Sequence, residues 1–417
     1  MQLDTTTRCR HLHVVGSTGT GKSTLLLHML QQDLAAGRGI CLIDPLGGLA
    51  TAALGLIPPH RAHQVRIIDP ADLERPIGFN VLDNTTVDMH ATVADDIVAA
   101  FMHIFGKEAV GDRSQQVLRN SVRALLYTPG STLLCVPKLL TNDEYRQTIL
   151  RRVLDPVVLT YWQQYAAYDE RWRVEVTTPI QNKLDAILSA PGLRNIVAQP
   201  RSTIDLRATM DQSRILIINL QKSWLGENNA RVLGALLLTK IAQAAFSRAD
   251  TPEESRRDFF LYCDEFQDFA TSSFIRLLSQ SRAYRLNLAL SQQFLGQLDD
   301  QVRQAVFGNV GSFLSFRVGA EDAPLIASHL GLKADVQTSG LGFQTTEPEQ
   351  LLTTLPNYQA YLRTLIDDMP TDALHIQMPP PPRAINHRPH RLITNSRIRF
   401  GKDRATVEAN IARFLAN

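Results

Sequence analysis

The sequence has few cysteines: four in 417 residues, Cys9, Cys41, Cys135 and Cys263. They lie far apart and form no CxxC pair, which argues against a disulfide framework and a structural zinc site and favours a reducing cytoplasm. No charge of one sign dominates. The 43 basic and 41 acidic residues leave a formal net charge of +2, so no global field draws the surface onto nucleic acid and any such contact has to be local. No stretch reaches the roughly 20 uninterrupted apolar residues of a membrane span. The amino-terminal MQLDTTTRCRHLHVV has no apolar signal core. No repeat of about 20 to 50 residues recurs, which argues against a solenoid or propeller. The composition that remains is globular, 44% hydrophobic and 20% charged, at a length that fits roughly two to three domains.

Short Val- and Ile-rich runs alternate with helical patterns at the start: LHVV (12–15), GICLID (39–44) and VRIID (65–69). This alternation predicts an α/β fold with a parallel sheet. From about 84 to 205 helical periodicity runs without strands, which predicts an all-helical insertion. The alternation then resumes with RILIINL (214–220), a helix over 230–246, DFFLYCDEF (258–266), LNLALSQ (286–292) and SFLSFRVG (312–319). The expected organisation is an α/β domain split into 1–83 and 206–377 around the insertion, with PNYQAYLRTLID (356–367) as an added edge strand. A basic carboxy-terminal tail, 378–417, opens with the Pro379–Pro382 run that breaks regular structure.

The strongest chemical signal is Gly16, Ser17, Thr18, Gly19, Thr20, Gly21, Lys22, Ser23 and Thr24, which fits GxxxxGK[ST] between a strand and a helix. Such a loop presents backbone N–H groups to phosphates at a helix N-terminus, with Lys22 reaching the β and γ phosphates and Ser23 ligating Mg2+. FFLYCDEF supplies a second element, a strand ending in Asp264 and Glu265. Asp264 is expected in the magnesium shell and Glu265 as the base that orients and deprotonates water, the two acids diverging through strand alternation. Gln292 and Gln293 end the next strand, with Gln293 the expected γ-phosphate sensor. Arg282, closing FIRLLSQSR, and Arg317, interrupting SFLSFRVG, are the remaining candidates, Arg317 first, either as a structural ion pair or as an arginine donated to a neighbour's nucleotide.

Together these stretches resemble the conjugative coupling-protein ATPases, the TraG/TraD-like branch of the HerA and FtsK superfamily. The resemblance also rests on GICLIDPLGGL, RPIGFNVL, RILIINLQKSWLGENNARVLGALLL, SQSRAYRLNLALSQQFLGQL and NVGSFLSFRVGAEDAPLIA. It implies a RecA-like P-loop NTPase motor with an all-helical inserted domain, a homohexameric ring, and ATP-driven pumping of DNA. It assigns nucleotide roles to Lys22, Ser23, Asp264, Glu265 and Gln293. Secretion-channel or relaxosome proteins are the implied partners, at the cytoplasmic face of a membrane machine. A nucleotide-switched receptor for relaxase or effector proteins, and a DNA repair or packaging motor, remain open. The sequence departs from relatives at Leu46-Gly47-Gly48, where they carry His-Gly-Asp. The phosphate loop begins at residue 16, so a membrane anchor or amino-terminal barrel is expected from a partner or from outside this chain.

Weaker features are read structurally. Tyr161, Tyr165, Tyr168 and Trp172 fall on one face of a helix by spacing and are expected in a helical core, and Arg151, Arg152, Arg171 and Arg173 on a solvated face. The histidine pairs His11/His13, His60/His63 and His387/His390 lack a third ligand nearby. The tail's Arg383, Arg388, Arg391, Arg397, Arg399 and Lys402 can attract phosphates or an acidic partner. Asp403 is expected to cap a short helix whose Val407, Ile411, Phe414 and Leu415 must dock somewhere.

Overall fold

The computed structural model describes residues 5–416 apart from 107, 109, 340, 341, 367 and 368. Among the described residues twelve strands form: β1 Leu12–Val15, β2 Gly39–Asp44, β3 Val65–Ile68, β4 Ile215–Asn219, β5 Phe259–Cys263, β6 Leu286–Gln292, β7 Ser312–Ser315, β8 Asp335–Ser339, β9 Gly342–Thr346, β10 Gln359–Ile366, β11 Met369–Pro370 and β12 Leu374–Gln377. The chain divides into two compact units: 1–65 with 207–218 and 244–392, and 66–206 with 219–243 and 393–417.

The first unit is built on a sheet in the order β11-β10-β7-β1-β6-β5-β2-β4. Strands β1, β2, β5, β6 and β7 pair in parallel, and every residue in them is buried. Burial on both faces explains why these strands read as continuous apolar runs rather than alternating ones. Two expectations change here. Strand β7 ends at Ser315, so Arg317 stands beyond it; Phe316 N–H donates to Val15 O instead, and the chain turns over the phosphate loop. The expected edge strand is β10, antiparallel to β7, but β11 and β12 pair on its other side, so it is not the edge.

In the second unit the described residues between 84 and 205 form helices and no strand: His90–Phe105, Asp112–Leu126, Cys135–Thr141, Asp143–Leu150, Pro156–Ala167, Glu170–Leu188 and Pro191–Val197. The tyrosine stripe does not lie on one helix. Tyr168 leaves the first helix with ψ 149, and Asp169 caps the next through Trp172 N–H at 2.7 Å. Trp162 and Tyr165 are buried, whereas Tyr168 stacks on Trp172 at 3.9 Å and stays exposed.

The tail holds two helices, Pro389–Phe400 and Arg404–Ala416, of which only the second was expected. Asp403 caps it, accepting from Thr406 N–H at 3.1 Å, and Val407 and Ile411 are buried. Among the described residues one helix, within 227–250, is long and apolar enough to cross a membrane, and 72% of that window is buried inside the protein.

Candidate phosphate-binding and hydrolytic site

Strand register brings the site together. Val15 pairs with Gln292, Cys263 with Leu290, and Ile43 with Cys263. Gly16, Gln293, Asp264 and Asp44 therefore finish or follow neighbouring parallel strands along one sheet edge, where α/β folds bind ligands.

The loop after β1 closes on itself. Gly16 N–H donates to Gln292 O at 3.3 Å, Ser17 N–H to Arg317 O at 2.8 Å, and Thr20 Oγ1 to Ser17 O at 2.7 Å. A Cβ at Gly16 would lie 2.6 Å from Phe316 Cβ, so no other residue fits. Gly21, at φ 124, hands the chain to the helix Lys22–Ala35. Lys22 Nζ donates to Gly16 O at 2.5 Å and Ser17 O at 3.2 Å, inside the curve of the loop. Burial pulls the Lys22 pKa down, while Glu265 and Asp264 push it back up. Ser23 is exposed in the first helical turn.

Asp264 follows β5 directly and is buried. Ser291 Oγ donates to its Oδ1, as does Glu265 N–H at 3.2 Å. Burial raises the Asp264 carboxyl to about 6, the Ser291 bond opposes this, and the charges of Glu265 and Asp44 add to it. Glu265 diverges from Asp264 for a reason other than strand alternation: it sits in the left-handed region at φ 46, ψ 49. Its Oε1 accepts from Gln293 Nε2 at 3.0 Å and its Oε2 from Gln267 Nε2 at 2.7 Å. Two amides thus hold a buried carboxylate in one orientation.

Lys22, Asp264, Glu265 and Gln293 come together as the sequence predicts. Arg317 lies beside its own phosphate loop, half-buried, with Nη1 donating to Leu355 O at 3.3 Å. Arg282 does not join them. It is exposed in the turn Ser281–Tyr284 that precedes β6, so the seven residues of that strand, about 20 Å at roughly 3.3 Å each, separate it from the site.

Sequence reasoning missed Asp44, Ser291 and Gln267. Asp44 is fully buried at the end of β2 and caps the next turn, accepting from Leu46 N–H at 2.8 Å and Ala50 N–H at 2.7 Å. It thereby organises the turn that holds Leu46-Gly47-Gly48. Its position at a strand end before Pro45 was the available signal. Neither His11 nor His13 joins the site. His11 Nδ1 accepts from Leu288 N–H at 3.1 Å, and His13, its pKa lowered to about 3 by burial, packs against Phe266 and Phe313.

The family model for the central domain of helicase HerA matches residues 3–241, which include the phosphate loop. The chain belongs to this family. The fold of this HerA-family chain is similar to bacterial conjugative coupling protein TrwBΔN70 in its unbound monoclinic form, with TM-score 0.66, 17% identity, and coverage of 92% of this chain and 88% of that one. It is likewise similar to TrwB in complex with ADP and Mg2+, with TM-score 0.64, 17% identity, and coverage of 92% and 89%. VirB4 of Thermoanaerobacter pseudethanolicus follows, with TM-score 0.58, 15% identity, and coverage of 89% and 90%. No curated protein matches the chain. The RecA-like P-loop fold and the resemblance to coupling-protein ATPases are borne out.

Proposed function

We propose that this HerA-family chain is an ATP-hydrolysing motor that translocates DNA in conjugation or the transfer of a mobile element. It works as a homohexameric ring at the cytoplasmic face of a membrane machine, with relaxosome or secretion-channel proteins as partners. The observation that carries the reading is the convergence of Lys22, Asp264 and the Glu265–Gln293 pair along one sheet edge. The likeness to TrwB, solved with ADP and Mg2+, supports ATP and Mg2+ as ligands here.

The donor set fits that pair of ligands. Lys22 is a cation set inside the loop, next to an acidic cluster that includes a buried carboxylate, Asp264. The backbone N–H groups of the loop beyond Ser17, whose own N–H and that of Gly16 are already bonded within the fold, and the Lys22 ammonium bind the phosphates, and Ser23 and Asp264 are the residues that would hold Mg2+. Bound Mg2+ would neutralise charge that develops on the phosphate oxygens. Glu265, fixed through both carboxylate oxygens, accepts the proton of the attacking water. Gln293 touches Glu265 directly and so links the γ-phosphate position to the base.

The deciding measurement is the ATPase rate with no polymer, with single-stranded DNA and with duplex DNA. Several-fold stimulation by at least one DNA is expected. ATP turnover unmoved by either would overturn the motor and leave a nucleotide-switched recruitment platform.

A further inference from the structure

The phosphate loop does not stand alone on its side of the sheet. Tyr358, the residue before β10, donates its N–H to Thr20 O at 2.7 Å and accepts from Met378 N–H at 2.7 Å. Its backbone is left-handed, φ 65, a conformation that a bulky residue adopts only when its surroundings impose it. A Cβ built at Gly21 would lie 3.2 Å from Tyr358 Cδ1, so the ring lies directly against the last glycine before Lys22. The side chain nevertheless remains 42% exposed. An aromatic residue pinned to a phosphate loop by two backbone bonds, yet open to solvent, is accessible to a ligand.

The direction of the site says which part of the ligand. The acids that act at the γ-phosphate end follow β5, two strands from β1 through β6. On the other side of β1 come β7 and then β10, which runs antiparallel and so begins at the edge where the parallel strands finish. A triphosphate held along residues 16–24 with its terminal phosphate at Glu265 directs its nucleoside away from β5, toward the start of β10. Tyr358 stands there.

The geometry points to Tyr358 as the stacking platform for the base of the bound nucleotide. This rests on the nucleotide reading above and adds to it the source of base affinity. A π-face contact tolerates any base, so the platform supplies affinity for nucleotides over inorganic polyphosphate more than it selects adenine over guanine.

The test compares Mg2+-ATP with Mg2+-tripolyphosphate binding by calorimetry in wild type, Tyr358→Phe and Tyr358→Asn. Asparagine tolerates the left-handed turn, so loss of the ring is separated from loss of the loop. Expected are near wild-type affinities for Tyr358→Phe, and for Tyr358→Asn a loss of about tenfold or more toward ATP with tripolyphosphate binding unchanged. Tyr358→Trp adds a direct readout, with emission above the wild-type background quenched by ATP and not by tripolyphosphate. Equal weakening of both ligands in Tyr358→Asn would make the tyrosine a loop support and overturn the platform, as would unchanged affinity for both. Wild-type protein that binds neither ligand would overturn the nucleotide reading itself, and the platform with it.

Discussion

Glu265 holds the one position in the site where orientation, rather than charge, is what the fold secures. A carboxylate at φ 46 that accepts from Gln293 on one oxygen and Gln267 on the other has little freedom left. Replacing it with glutamine keeps the volume and removes the base. Glu265→Gln is therefore expected to bind ATP near wild-type affinity while turnover falls about a hundredfold or more, as measured by calorimetry beside a phosphate-release assay. Lys22→Ala is expected to abolish binding itself, because the ammonium inside the loop faces the ground-state phosphates. A Glu265→Gln protein that hydrolyses at the wild-type rate would remove Glu265 from the chemistry.

A second residue carries a pH signature in the second unit. Lys240 is buried with its Nζ donating to Asp83 O and, at 3.4 Å, to Thr85 Oγ1. Burial lowers its pKa from 10.5 to about 8, against the pull of Asp83. Between these values the unfolded chain keeps the proton and the native chain has released it, so stability rises with pH across that window. Denaturation midpoints from pH 7 to 10.5 are expected to show this rise in wild type and to lose it in Lys240→Met. The same slope in both proteins would refute the assignment.

At the scale of elements, the tail from residue 393 onward belongs to the second unit rather than standing as a free appendage. Its last helix buries Val407 and Ile411, sets Phe414 under the Lys138 ammonium at 4.9 Å, and joins Glu408 to Asn195 at 3.1 Å. The helix before it pairs Arg397 with Asp72 in a salt bridge at 3.0 Å and accepts Ile67 N–H on Ser396 Oγ at 2.9 Å. Part of the basic charge is thereby spent inside the protein. Ile411→Ala is expected to cost about 2 kcal/mol in chemical denaturation, toward the lower end for a large-to-small change because the side chain is not fully enclosed. No loss of stability would mean that the helix does not dock.

These elements also show what the sequence could and could not reveal. β1, β2, β5, β6 and β7 announce themselves because strands buried on both faces need unbroken apolar runs, and the phosphate loop because its glycines are forced by Phe316 and by φ. β12 alternates half-buried with exposed residues over four positions and leaves too short a pattern to read. The helix Pro389–Phe400 is strongly basic and is held by contacts distant in sequence, among them Ser396 with Ile67. Tyr358 and Gln267 carry no motif: a left-handed φ and a strand register place them, and both are products of the folded chain.

At the scale of the whole molecule, the two arginines separate by what they can reach. Arg317 accepts from Ser17 N–H at its backbone oxygen and donates from Nη1 to Leu355 O, which places it beside the phosphate loop of its own chain, and we propose that it acts there. Arg282 is exposed and about 20 Å from its own loop by the length of β6, which makes it the arginine we propose for a nucleotide on a neighbouring chain. This proposal takes the two candidates in the opposite order from the sequence reading. In a ring, a guanidinium delivered in trans is worth roughly 10³ to 10⁵ in rate, because it meets charge that develops on the equatorial oxygens. Mixing Lys22→Ala with Arg282→Ala subunits creates interfaces where an intact loop faces an intact arginine, and ATPase activity is expected to reappear there. Mixing Lys22→Ala with Arg317→Ala is expected to stay inactive, since every site then lacks one group of its own. Recovery in the second mixture and none in the first would reassign the trans arginine to Arg317, while recovery in neither would show that each site completes itself within one chain.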